Sequence, residues 1–161
     1  MVQDINPFSG SVRVRVCGLL EEKDKILLLK HEGLGSAGYL WSPPGGGVEF
    51  GQSIKETLKR EFLEETNLSI DIEHFMFVNE YIDSQYHAIE LFFKVKKING
   101  QLKLGKDPEL APNKQILSDA QFISIMDLQK MDHTTIHNSL LDCTSSGKLF
   151  QKNGFFASEN K

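Results

Sequence analysis

The chain has 161 residues, a formal net charge of −4 and a pI near 5.7. That length suits one domain spanning residues 1–161, large enough to bury a real core, with loosely held ends before about Ser11 and after about Gly154. The acidic balance argues against tight nonspecific binding to a nucleic-acid polymer, which depends on Lys and Arg neutralising phosphates.

Two cysteines far apart, Cys17 and Cys143, without a CxxC or Cys/His cluster, indicate neither a disulfide framework nor a zinc site. The first residues, MVQDINPFSGS, hold neither a basic region nor an apolar run, and no stretch approaches a membrane span. The expectation is a soluble, cytoplasmic protein with no membrane partner.

Val12-Arg13-Val14-Arg15-Val16 alternates strictly and predicts a strand with valines on one face and arginines on the other. Arg13 and Arg15 then form either a solvated polar face or a pair of guanidinium forks for phosphate. A Lys23-Asp24 turn leads into Lys25–Lys30, a more fully apolar strand, which makes a hairpin. His31 to Tyr39 is glycine-rich and reads as a loop bordering a pocket. Trp41 reads first as a packing anchor and second as a platform on which a substrate base stacks. Pro43-Pro44-Gly45-Gly46-Gly47 is a turn able to bring bare backbone N–H and C=O groups against a ligand.

Ser53 and Glu56 form a capping box that starts a helix at about Ile54, and Asn67 is suited to a left-handed cap after Thr66. At about 100° per residue, Ile54, Leu58 and Phe62 share one arc, with Glu61, Glu64 and Glu65 across its edge. Glu61 repels each of the other two by roughly 0.2–0.5 kcal/mol even in water. A divalent cation reverses that sign, because Mg²⁺ takes hard carboxylate oxygens. The alternative is a solvated acidic stripe partly neutralised by Lys59 and Arg60.

Beyond the helix, Ser69–Glu80 and His87–Lys97 read as a second hairpin around Asp83-Ser84-Gln85, with Phe75, Phe77, Phe92 and Phe93 as core and sheet-face residues. Asn99 to Leu117 is a long polar loop, and such loops are often functional. Ala120–Ser124 is a last strand, followed by a short helical turn near Met126–Lys130 and a C-terminal helix over Thr134–Ser145. His133 and His137 have the spacing of a chelating pair but lack the glutamate of HExxH, so an exposed helix start is expected there.

The central stretch resembles the Nudix hydrolases, whose signature runs Gly, any five, Glu, any seven, Arg-Glu-hydrophobe-any-Glu-Glu-any-Gly-hydrophobe. Gly46 opens it, and Arg60, Glu61, Phe62, Glu64, Glu65 and Leu68 fall in place without a gap. Gln52 replaces the first glutamate, which in the family steadies the loop and the arginine, and Asn67 replaces the last glycine. Trp41, the flanking strands and Phe122–Leu128 extend the likeness over most of the chain.

The resemblance implies an α/β fold, an α/β/α sandwich whose mixed curved sheet carries the acidic helix. It implies Mg²⁺-dependent hydrolysis, with Mn²⁺ as a substitute, of the phosphoanhydride in a nucleoside diphosphate linked to another moiety. ADP-ribose and nucleotide sugars come first as substrates, and nucleoside triphosphates second. Glu61, Glu64 and Glu65, with a carbonyl of Gly45 or Gly46, would hold the metal, and Arg60 would orient the carboxylates. Arg13, Arg15 and Trp41 are the candidate substrate contacts. The general base is Glu64 inside the box or Glu109 outside it, with Asp107, Glu80 and Glu90 as rivals. A homodimer is compatible. Two other classes stay open, a non-hydrolytic nucleotide-sensing module and an interaction scaffold with a structural acidic face.

Overall fold

The computed structural model describes residues 10–82, 86–106 and 115–159 and is organised around β1 (Val12–Glu22). Along one side β1 runs parallel to β6 (His87–Asn99), from Val12 opposite His87 to Leu20 opposite Val95. Along the other side it changes partner. Arg15–Cys17 pair antiparallel with β4 (Gly45–Gly47), and Glu21–Glu22 pair with β2 (Lys25–Glu32) across the Lys23-Asp24 turn. β2 carries β3 (Tyr39–Ser42) and β7 (Leu117–Ser124). β5 (Ser69–Ile82) lies antiparallel to β6, and β8 (Gly154–Glu159) lies parallel to β5. Among the described residues this is a mixed sheet with few helices, an α/β fold.

Alternate strand residues face opposite sides, and each side of the sheet has its own apolar layer. On one, α1 (Ile54–Thr66) sets Leu58 and Phe62 against Val16, Leu20, Leu27, Ile70 and Val95. On the other, Cys17, Leu19, Trp41, Phe77 and Phe92 lie beneath Ile136, Leu140 and Leu149. Phe77 and Phe92 stack at 4.5 Å between centroids. α1 begins with the capping box and ends at Asn67 with φ 59°, its N–H donating to Leu63 O, the local geometry its sequence predicts. No helix among the described residues is long and apolar enough to cross a membrane.

Three expectations change. Instead of a helix over Thr134–Ser145, the chain makes two 3-10 turns, His133–Thr135 and Asn138–Leu140, then a short helix (Ser146–Phe150). Asp132 and His137 cap these turns with their side chains, and β-branched and Asn/Ser residues there are poor at sustaining a helix. The end after Gly154, expected to be loose, pairs with β5 as β8 from Phe77–Gly154 to Ile82–Glu159. The faces of the first residues of β1 are also inverted: Val12 and Val14 are 58% and 44% exposed, while Arg13 and Arg15 are half-buried on the side of Trp41 and Phe92. Asp83-Ser84-Gln85, Asp107 and Glu109 lie outside the described residues.

Gly18 shows how closely α1 is seated. A Cβ at this position would run into the Phe62 ring and lie 3.3 Å from Leu58 Cδ1. Gly18→Ala should therefore cost about 1–3 kcal/mol, as overpacking does in a filled core. A lowered urea midpoint with an unchanged slope is the expected readout.

Candidate active site

Three consecutive glycines form β4, and their missing side chains are what let the surrounding groups meet. Gly45 has φ +153°, and its N–H donates to Glu65 Oε2 at 3.0 Å. Gly46 pairs with Val16 and faces α1, so closely that a Cβ would collide with the Glu61 carboxylate. Gly47 pairs with Arg15 and faces the other way, where a Cβ would lie 2.6 Å from Arg13 Nη2. One thin strand thus separates carboxylates on one face from guanidinium groups on the other.

Glu65 is buried, and the Glu61 side chain is 14% exposed. Arg60 lies between the remaining acids, with Nη1 donating to Glu64 Oε2 at 2.9 Å and Nη2 2.9 Å from Glu61 Oε1. Arg60 Nε is buried without a hydrogen-bond partner among the described residues. Gln52 donates to Glu49 Oε2 at 2.8 Å and accepts from Thr57 Oγ1 at 3.3 Å, so its amide braces the loop against the helix start. Among the described residues no three acidic, histidine or cysteine side chains converge on one point. The repulsion within the acidic triad is relieved here by Arg60 and by the Gly45 amide. The donors are nonetheless hard carboxylate oxygens beside a bare glycine backbone, the chemistry that suits a divalent cation such as Mg²⁺.

Segment 100–106 returns to the last turn of α1. Lys103 N–H donates to Thr66 O at 3.0 Å and Gly105 N–H to Glu65 O at 2.8 Å.

On the opposite face, Arg15 stands between Gly47 in β4 and Glu90 in β6, with Nη1 3.9 Å from Glu90 Oε1. Glu90 is 2% exposed, accepts from Asn79 Nδ2 at 2.9 Å, and pairs with His137 Nε2 at 3.0 Å. His137 is itself buried and is oriented by Ser139 at 2.8 Å from Nδ1. Burial works to raise the Glu90 carboxyl, but His137, Arg15 and Asn79 outweigh it and hold it at about 2. Glu90 is therefore an ionised anchor within a closed cluster, poorly suited to accept a proton from water. Burial opposes the charge on Arg15, yet the carboxylates of Glu90, Glu65 and Glu61 hold its guanidinium above the ordinary arginine value. Burial, and then the charge of Glu90, push the Cys17 thiol well up, leaving it a protonated packing group.

Trp41 keeps the first of its two sequence readings, the packing anchor, and loses the second, while the reading of His137 is corrected. Trp41 is 7% exposed and packed in the core beneath Ile136, so its indole lacks an open face for stacking a base. His137 is not on an exposed helix start with His133: a 3-10 turn separates them, and His137 points inward to Glu90. The Glu90–His137–Asn79 cluster was hidden because its members are far apart in sequence. Its one local signal is that Glu90 alternates in register with Ala88 and Phe92, both inward positions.

Comparisons with known proteins give the family to which this arrangement belongs. The NUDIX domain family model matches residues 11–142. An ADP-ribose pyrophosphatase of Methanocaldococcus jannaschii is 32% identical over 127 residues, covering 76% of this chain and 69% of that protein. A NUDIX hydrolase of Nitrosomonas europaea superposes with a TM-score of 0.68 at 21% identity, over 83% of this chain and 86% of its own. An ADP-ribose pyrophosphatase of Streptococcus suis does so with a TM-score of 0.58 at 17% identity, over 89% and 98%.

The chain belongs to the Nudix family and is a pyrophosphohydrolase of the Nudix type. Enzymes of this family generally need divalent metal ions and act on small nucleotide-like substrates.

A buried histidine in the same neighbourhood makes stability depend on pH. His31, hydrogen bonded to Ser42 Oγ at 3.3 Å, is lowered to about 4, first by burial and then by the charge of Arg15. Between pH 6.5 and 4 the unfolded chain therefore binds a proton that the folded chain refuses, and stability falls as pH falls through that window. The loss should approach about 3 kcal/mol near pH 4. Urea unfolding at pH 7.5 and pH 4.5 should show the difference shrinking in His31→Gln.

Proposed function

We propose that this enzyme hydrolyses the phosphoanhydride of a nucleoside diphosphate joined to a second moiety, with ADP-ribose the leading substrate and nucleotide sugars next. The observation that carries the reading is β4 itself, with Glu61 and Glu65 against Gly46 and Gly45 and with Arg13 over Gly47. A pyrophosphate laid along this strand would meet a cation-binding edge on one side and guanidinium groups on the other. The 32% identity to a protein named an ADP-ribose pyrophosphatase supports the choice of substrate. The reduced, buried state of Cys17 and Cys143 suits a cytoplasmic setting.

In this reading Glu61, Glu64 and Glu65, with a carbonyl of Gly45 or Gly46, hold Mg²⁺, and Mn²⁺ can substitute. When bound, the cation neutralises the pyrophosphate and lowers the pKa of the attacking water. Arg60 positions Glu61 and Glu64 through its two close contacts and limits their repulsion before the cation arrives. The Gly45 amide fixes the Glu65 carboxylate so that one oxygen is already oriented. Arg13 and Arg15 bind phosphate oxygens, and Glu90 holds Arg15 from behind.

The proton of the attacking water passes to Glu64 or to Glu109. Glu109 lies four residues beyond Gly105, which is anchored on Glu65.

Glu64→Gln and Glu65→Gln should each lower kcat with ADP-ribose by about 10²–10³ in excess Mg²⁺, because each removes charge where the transition state needs it. Release of AMP and ribose 5-phosphate, followed by chromatography, is the assay. Near-normal turnover in both variants would contradict the assignment. Rapid cleavage of nucleoside triphosphates with ADP-ribose left intact would overturn the substrate choice.

A further inference from the structure

Segment 100–106 closes the C-terminal turn of α1 from outside the helix. Carbonyls at this end of a helix have no intrahelical partner, and Lys103 and Gly105 supply backbone donors to two of them, on Thr66 and Glu65. Asn67 strengthens the seam by donating from Nδ2 to Gln101 O at 3.0 Å. Gly105 makes the closest approach. A Cβ there would overlap the Glu64 carbonyl oxygen, lie 2.7 Å from the Glu64 carbonyl carbon, and lie 3.0 Å from that of Glu65. Backbone strain is not the reason, since Gly105 has no positive φ. Its glycine is needed for contact.

We infer that Gly105 is a positioning residue for the cation site: the strap it ends holds the backbone of Glu64 and Glu65 in the geometry their carboxylates need. The inference rests on the proposed role of those two acids. The physical case is that the strap is joined to the backbone of the very residues whose side chains would share a cation. Neighbouring carbonyls on a helix turn are rigidly linked, so a strap pushed off Glu64 and Glu65 frees the last turn to fray and their carboxylates to spread. The same linkage runs in reverse, and a cation drawing the carboxylates together should hold the strap down.

Three measurements test this. Mn²⁺ titration followed by the electron paramagnetic resonance of the free ion should show Gly105→Ala binding about tenfold more weakly than the unaltered protein. Its kcat should fall by at least tenfold, and KM for ADP-ribose at saturating Mn²⁺ should change little. In the unaltered protein, hydrogen exchange at the Lys103 and Gly105 amides should slow at least threefold on addition of saturating Mg²⁺, a result that does not depend on the variant folding.

Unchanged Mn²⁺ affinity and kcat in a folded Gly105→Ala, or exchange at both amides indifferent to Mg²⁺, would overturn the inference. If Glu65→Gln left Mn²⁺ affinity intact, the cation-site reading would fall first, and the role of Gly105 with it.

Discussion

The hydrogen bond from the Gly45 amide to the Glu65 carboxylate joins a strand to a helix where neither has an apolar side chain to offer. A buried carboxylate is costly unless it is paired, so this contact fixes how deeply the C-terminal half of α1 sits against β4. The apolar seam of Leu58 and Phe62 on Val16 and Leu20 sets the helix on the sheet. The amide then decides which edge of the helix faces the glycine strand. Bulkier residues in β4 would push the helix away at Gly46 and the arginines away at Gly47.

Charge is distributed around this strand in two compensated groups. On the helix side Arg60 serves as the internal counterion of Glu61 and Glu64, which lets an acidic edge persist in a folded protein. In the proposed function an incoming dication would compete with this guanidinium for the same oxygens, so Arg60 would tune affinity as well as geometry. On the other side Glu90, His137 and Asn79 form a closed set behind Arg15. Desolvation makes such a buried set weak evidence for stability. Its value lies in giving Arg15 a fixed anchor beside Gly47.

The parts of this arrangement governed by neighbours in sequence were legible. The capping box of Ser53 and Glu56, the left-handed Asn67 and the Leu58/Phe62 arc depend on spacings of three and four residues, and the helix follows them. The Arg60–Glu64 pair is of the same kind. Long-range contacts were not legible. The Arg13/Arg15 alternation says that two faces exist, but which one is covered depends on the segment around His137, more than a hundred residues later. Trp41 is ambiguous for the same reason, because an indole suits a core and a binding platform equally until something is packed over it. β8 is short and gains its order from a parallel partner nowhere near it in sequence, so its own residues announce little. The Gly105 contact depends on tertiary approach alone.

The account stands on a cation being held between the acidic edge of α1 and the glycine strand. Anomalous diffraction from a crystal soaked in Mn²⁺ addresses this most directly. The account predicts a peak coordinated by carboxylate oxygens from Glu61, Glu64 and Glu65 and by a carbonyl of Gly45 or Gly46, with Arg60 drawn away from at least one of its present partners. A fully soaked crystal with no peak there, and with Glu61 and Glu64 still closed on Arg60, would contradict it.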